Sequence, residues 1–237
     1  MKPTAPQLRL AALGLCFFLA TQLFQALCFI FWLPETQSAA ADLTARLGSL
    51  DRARALAVLA GILALSATYV VVAMERREKA PLASTLGLVF TLFFIALELL
   101  HRGVDFALVS QQWSEAYAAA TGAAERSLLL ERHALWDGLT RALYLPLMLS
   151  GLIAWSSFAL ATWRGEGRWY WLAPLAFSMN ALRTLGRLLG TYTAMPGMDV
   201  FNGLPVYVAL VLTINGLLAA WLFWRAREVE VERVAAG

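Results

Sequence analysis

The chain reads as an all-α protein: a polytopic membrane bundle of six transmembrane helices with both termini on the cytoplasmic side. Three observations predict this. Six apolar stretches approach the roughly 20 residues that a helix needs to cross the hydrocarbon layer. The composition, 60% hydrophobic and 15% charged over 237 residues, is too apolar for an ordinary soluble domain. Basic residues gather beside the apolar runs on one side, as the positive-inside rule requires.

The first span is expected near 10–33. It exceeds the roughly 7–15-residue core of a cleavable signal and is therefore expected to be retained. Cys16 and Cys28 lie far apart along it, out of disulfide geometry, and read as small core residues. Further spans are expected near 54–74, 81–104, 138–162, 170–190 and 204–224. Helix is the only state for them, because a lone strand in lipid leaves backbone groups unpaired. Pro81, Pro174 and Pro205 lie in or near first turns, where a missing amide hydrogen costs little. Pro146 sits inside the fourth span and is expected to bend it. Trp32, Trp136, Trp163, Trp169, Trp171, Trp221 and Trp224 fall near span ends as an aromatic belt.

The side predicted to be cytoplasmic carries Lys2, Arg9, Arg76, Arg77, Lys79, Arg164, Arg168, Arg225, Arg227 and Arg233. The opposite side has Arg46, Arg52, Arg54, Arg126 and Arg132, mixed with acids in longer segments. Segments 34–53, 105–137 and 191–203 would then face outward. The second is predicted to hold a helix lying at the interface within 106–132, with Trp113 and Tyr117 one turn apart. The third, with Pro196, Gly197 and Asn202, reads as a turn-rich loop. The whole chain, 1–237, forms one membrane domain with no repeat and no low-complexity tract. The expected setting is the bacterial inner (plasma) membrane, multi-pass, with the lipid bilayer as first partner. The formal charge of +3 flanks the spans and builds no wettable basic face, so nucleic acid is not an expected partner.

The chemistry-bearing residues recur at helical spacing. The third span ends in Glu98, His101, Arg102 and Asp105, offsets of three, four and seven that share one helical face. The fourth segment gives His133, Asp137 and Arg141, and the fifth gives Asn180, Arg183 and Arg187. All three stripes fall in the outer half of the spans, so they are expected to face one another inside the bundle. Arg183 would lie roughly 20 Å from the cytoplasmic end of its span, well beneath the outer interface. Asn180, Asn215, Gln22 and Gln25 continue the polar character toward the midplane, as a cavity tapering inward would.

These charges admit several readings. Glu98, Asp105 and Asp137 against Arg102, Arg141, Arg183 and Arg187 can form a salt-bridge network tying three helices together. The same set leaves an excess of guanidinium, which in a partly dehydrated site favours a small anionic or lipid-like ligand. In that reading Arg183 and Arg187 hold the anion, Arg102 and Arg141 extend the positive field, and the carboxylates orient them, with Asn180 alongside. A metal site of Glu98, His101, His133 and Asp137 is the alternative, since Glu98 and His101 have ligand spacing on one helix. Four arginines in the same layer oppose a divalent cation, and a second Glu-x-x-His pair is missing. No cofactor is predicted. Ser150, Ser156 and Ser157 read as packing or back-bonding hydroxyls, and the Gly186–Gly190 pair as a place for close helix approach.

The layout resembles a bacterial family of six-span membrane proteins known as a domain of unknown function. The resemblance covers most of the chain. It rests on Asp42 and Leu43 before the second span, the hairpin Glu75, Arg76, Arg77, Glu78 and Lys79, the glutamate Glu98 in the third span, and a last span opening Leu204-Pro205 and closing Trp221-Leu222. It implies a six-span fold and brings no activity; His101 and His133 do not carry over from it. Three classes of function stand at this point: a pocket that binds or senses a ligand or supports a membrane partner, a proton-coupled solute transporter, and a metal-dependent membrane hydrolase. An oligomer or a partner protein is compatible with each.

Overall fold

Long runs of Leu and Ala, broken by proline mainly at first turns, fold as helices. The computed structural model describes residues 2–33, 36, 38–163, 165, 169–193 and 195–235, and no strand occurs among them. Helix α1 spans Ala5–Phe31. It starts ahead of the apolar run because the Thr4 backbone N–H donates to Gln7 Oε1 at 2.8 Å, a reciprocal N-terminal cap. A short α2, Ala39–Ala45, is capped by the Ser38 hydroxyl, which accepts from the Ala41 N–H. Next come α3, Ser49–Arg76, and α4, Pro81–Val104. A π-helical stretch, Asp105–Trp113, and α5, Ser114–Ala119, extend α4. Helix α6 spans Ala123–Thr162 and α7 Leu172–Tyr192. A 3-10 turn, Met198–Asn202, leads into α8, Leu204–Ala235.

Among the described residues five helices are long and apolar enough to cross a membrane: α1, α3, α4 with its continuation to Ala119, α6 and α8. Helix α7 is not among them, because Asn180, Arg183 and Arg187 dilute its apolar character over only 21 residues. Segment 106–132, where a helix lying along the interface is expected, falls in two parts separated at Ala120–Gly122. Its first part prolongs α4, and its second part forms the opening turns of α6. Ala, Leu, Glu and Arg are all good helix formers, so α6 runs through its polar residues for 40 residues. That is about 60 Å, twice the roughly 30 Å hydrocarbon layer. It also continues unbroken through Pro146, where the Ser150 hydroxyl donates to the Pro146 carbonyl at 2.6 Å.

Six helices pack in chain order around a ring. Helix α1 packs on α3, α3 on α4, α4 on α6, α6 on α7, α7 on α8, and α8 closes on α1. Helices α1 and α3 cross closely at Gly61, where a Cβ would come within 2.3 Å of Thr21 Oγ1. Nearby, the Thr68 hydroxyl donates to the Ala11 carbonyl at 2.9 Å. Leu10, Leu13, Leu82, Phe93, Leu160 and Leu182 are more than half exposed on the outside. The polar side chains Gln22, Gln25, Asn180 and Asn215 are buried, the inverse of a soluble bundle.

Both chain ends meet at one end of the ring, where Arg9 pairs with Glu230 and Lys2 with Glu78. Of the basic residues expected on this side, Arg164 and Arg168 lie outside the described residues. The distal end is built from α2, the π-helical stretch, α5 and the first turns of α6. Leu43, Val109 and Trp136 pack together there as a small second core.

Candidate functional site

The ring encloses a cavity of about 290 Å³, lined by all six of its helices. Helix α4 contributes Glu98, His101 and Arg102, and α7 contributes Asn180, Arg183 and Arg187. Each trio is one helical face, so the periodicity in the sequence places its members together. Gln22 and Gln25 enter from α1 and Asn215 from α8. Tyr144 of α6 and Tyr207 of α8 complete the polar part. Sequence reasoning missed both tyrosines; near span ends, a tyrosine is easily counted as a belt residue.

Three guanidinium groups face one carboxylate in this cavity. Arg102 Nε donates to Glu98 Oε1 at 2.6 Å, so that pair neutralises itself. Arg183 and Arg187 form no ion pair among the described residues. Arg183 Nε donates to Asn180 Oδ1 at 3.2 Å, and its guanidinium lies 5.5 Å from the centroid of the Tyr207 ring. Arg187 sits between two rings, 5.3 Å from Tyr144 and 5.5 Å from Tyr207, with Nε reaching Asn202 Oδ1 at 3.4 Å. Cation–π contacts of this kind offset part of the cost of holding guanidinium away from water. Arg183 Nη1 and the Tyr144 hydroxyl are both buried and have no hydrogen-bond partner among the described residues. Tyr207, by contrast, donates to Gln22 Oε1 at 2.9 Å.

Toward the terminal end the cavity wall becomes apolar: Leu65 and Tyr69 from α3, Phe94 from α4, Met148 and Trp155 from α6. Tyr69 and Trp155 are tilted ring on ring at 4.9 Å, and Phe94 meets the Trp155 ring at 5.6 Å. At the distal end the 3-10 turn packs against α7 and adds Asn202 to the lining. A Cβ at Gly186 would meet the Phe201 ring at 2.5 Å, and one at Gly190 would meet the Met198 carbonyl oxygen at 2.6 Å. The glycine pair thus admits a loop, where the spacing had suggested a helix.

The α6 stripe goes elsewhere. Helix α7 ends level with Arg141, where the Tyr192 hydroxyl donates to the Arg141 carbonyl at 2.8 Å. Above that level the ring has lost a wall, and the side chains of Asp137 and Arg141 are exposed. His133 is buried, with Nε2 at 2.9 Å from Asp42 and Nδ1 at 3.3 Å from Asp137. Asp105 opens the π-helical stretch, whose wider turn breaks register with the α4 face. Its carboxylate accepts from Arg46 Nη1 at 2.7 Å and from Trp136 Nε1 at 3.1 Å. Arg46 also reaches Asp42 at 2.7 Å.

The result is a second polar cluster, Asp42–Arg46–Asp105–Trp136–His133, which clamps α2 onto the distal end. Burial would raise the Asp42 carboxyl, but Arg46 and His133 outweigh it and hold it below the usual carboxylate range. Burial would likewise lower Arg46, and Asp105 and Asp42 push it above its ordinary value. The four residues of the metal alternative are divided: Glu98 and His101 line the cavity, while His133 and Asp137 belong to the clamp. Among the described residues no group of three or more His, Cys, Asp or Glu is placed to hold a metal ion. His101 instead stacks on Trp136 at 6.1 Å between ring centroids.

No protein-family model, curated protein or solved structure matches this chain.

Proposed function

We propose that the protein is a six-span protein of the bacterial inner membrane, with both termini cytoplasmic, that binds a small anion in its ring cavity from the outer face. Helix α7 is the sixth span in this reading. It is the wall between α6 and α8, and its polar face turns to the cavity while Leu182 and Leu185 face outward. Membrane helices carry charge in this way, toward the bundle interior. The orientation follows the basic residues that flank the terminal end of the ring.

One observation carries the anion reading: Arg183 and Arg187 share a cavity whose only carboxylate, among the described residues, is already bonded to Arg102. Two guanidinium groups beside the Tyr144 hydroxyl, which has no hydrogen-bond partner among the described residues, present converging donors of the kind that recognise an anionic acceptor. Arg183 and Arg187 take the anion, Tyr144 adds a neutral donor, Asn180 aims Arg183, and the Glu98–Arg102 pair sets the field. Asp105 and Asp137 serve the distal clamp. The clamp joins the helix that bears Arg102 to α2 outside the membrane, which suits a sensor or a support for a membrane partner.

Transport has less support. Between the cavity and a charged cleft at the terminal end, Val72, Phe158, Phe177, Leu218 and Leu222 pack at no more than 1% exposure. A metal-dependent hydrolase has less support again, because its four residues stand in two places. Titration calorimetry of the purified protein with acetate, benzoate, phosphate and sulfate in chloride-free zwitterionic buffer tests the reading. At least one anion should bind saturably, and Arg183→Gln or Arg187→Gln should weaken it about tenfold or more, the loss of one charge-assisted hydrogen bond. Equal binding by wild type and both variants, or no binding at all, would refute it.

A further inference from the structure

The cavity has two chemically distinct halves, and an inorganic anion uses only one of them. Arg102, Tyr144, Arg183 and Arg187 stand in the distal half, and Tyr69, Phe94, Trp155 and Leu65 wall the other. From Tyr144 to Trp155 along α6 is about 16 Å, and from Arg102 to Phe94 along α4 about 12 Å. The lined depth therefore exceeds one anionic group by far. Apolar walls at that depth favour apolar atoms over water.

We infer that the ligand is an amphipathic anion with a single short tail: its charged head held by Arg183, Arg187 and Tyr144, its apolar body seated on the Tyr69–Trp155–Phe94 floor. This rests on the anion reading above and adds the tail. The volume, about 290 Å³, stands at the small end of the roughly 300–1,000 Å³ typical of small-molecule sites. It suits a short alkyl or single-ring acid and leaves no room for a two-chain lipid. The head is a carboxylate or a phosphate monoester, since both present the acceptor oxygens that paired arginines recognise. Head and floor act in series along one axis, so the tail length is read against a fixed anchor. The floor then sets specificity: a tail that stops short of Trp155 leaves apolar wall in contact with water, and one that overshoots meets the packed Phe158 and Phe177 beneath.

The test is a homologous series on the wild-type protein in lipid nanodiscs, with empty discs as blank: acetate, butyrate, hexanoate and octanoate, then hexyl phosphate and hexanol. Affinity should rise about fourfold per methylene and level off once the floor is filled. Hexanol should bind at least tenfold more weakly than hexanoate. The better of hexanoate and hexyl phosphate identifies the head. Met148→Phe, which adds bulk at the floor, should bring the plateau to a shorter chain. If acetate and octanoate bind equally, the tail is refuted and the anion site stands. If hexanol matches hexanoate and Arg183→Gln changes neither, both readings are overturned.

Discussion

Arg102 and Arg183 line the same cavity under opposite conditions. Arg102 has a carboxylate at 2.6 Å, whereas the groups that Arg183 meets, Asn180 and Tyr207, are neutral. The Glu98–Arg102 pair is therefore structural, and removing one partner leaves an uncompensated charge. Glu98→Gln should destabilise the protein by about 2 kcal/mol, below the 3–5 of a fully buried pair, because the Arg102 side chain keeps 32% of its surface exposed. The freed guanidinium should at the same time tighten anion binding. Thermal unfolding and calorimetry of that one variant check both signs; a variant that loses binding along with stability would contradict the assignment. The Asn180, Arg183 and Arg187 face was legible in the sequence because helical spacing alone brings those side chains to one side. Asp137 and Arg141 share the same kind of spacing, yet they rise past the end of α7. Spacing fixes a face of one helix and is silent about where its neighbour stops.

Helix α2 shows how an element outside the apolar runs acquires a place. Its seven residues bury Leu43 against Val109 and Trp136, and Asp42 and Arg46 lock it to α6 and to the π-helical stretch. The depressed pKa of Asp42 links this clamp to pH. A carboxylate whose folded pKa lies below its unfolded value, about 3.9, adds stability above that value and loses it as pH falls through the folded pKa. Thermal unfolding of the wild type should therefore fall on acidification below about pH 4. Asp42→Asn should start lower at neutral pH and show a flatter acid limb; parallel limbs for the two proteins would remove Asp42 from the account. Arg46 escaped the sequence reading because it lies among mixed charges with no apolar period to place it. Segment 106–132 shows the limit of hydropathy as a guide to helix length. Its polar residues interrupt hydropathy, yet the helix breaks only at Ala120–Gly122, so α4 and α6 continue well beyond any apolar window. At Asp105 the α-helical geometry of α4 changes to π-helical, and the helix runs on to Ala119, past the expected span end near 104.

The whole molecule is a ring whose inside is more polar than its outside. Among the described residues five members have the length and hydropathy of spans, and the sixth, α7, lines the cavity with Arg183 and Arg187. Below the cavity the ring closes on Tyr69, Phe158 and Phe177, stacked within 6.2 Å of one another. Beyond them lies a separate cleft of about 310 Å³ lined by Glu75, Arg76 and Arg225, where Arg225 Nη2 holds Glu75 at 2.6 Å. From Tyr69 to Arg76 along α3 is about 10 Å, a septum packed with buried apolar side chains. Five of the six expected spans were legible because lipid demands length; the ring was not, because packing order depends on contacts between helices. The most direct measurement is the thermal unfolding of wild type and Arg183→Gln, each without added anion and with saturating hexanoate or phosphate. Without anion the variant should be at least as stable as the wild type, since it has lost a charge that the described residues leave without an ion pair, held only by the neutral Asn180 and Tyr207. With anion the wild type should gain several degrees and overtake it, on the order of 5 °C for a ligand near 100 times its Kd. A variant that is less stable without anion, beside a wild type that no anion stabilises, would make Arg183 a structural charge and end the binding account.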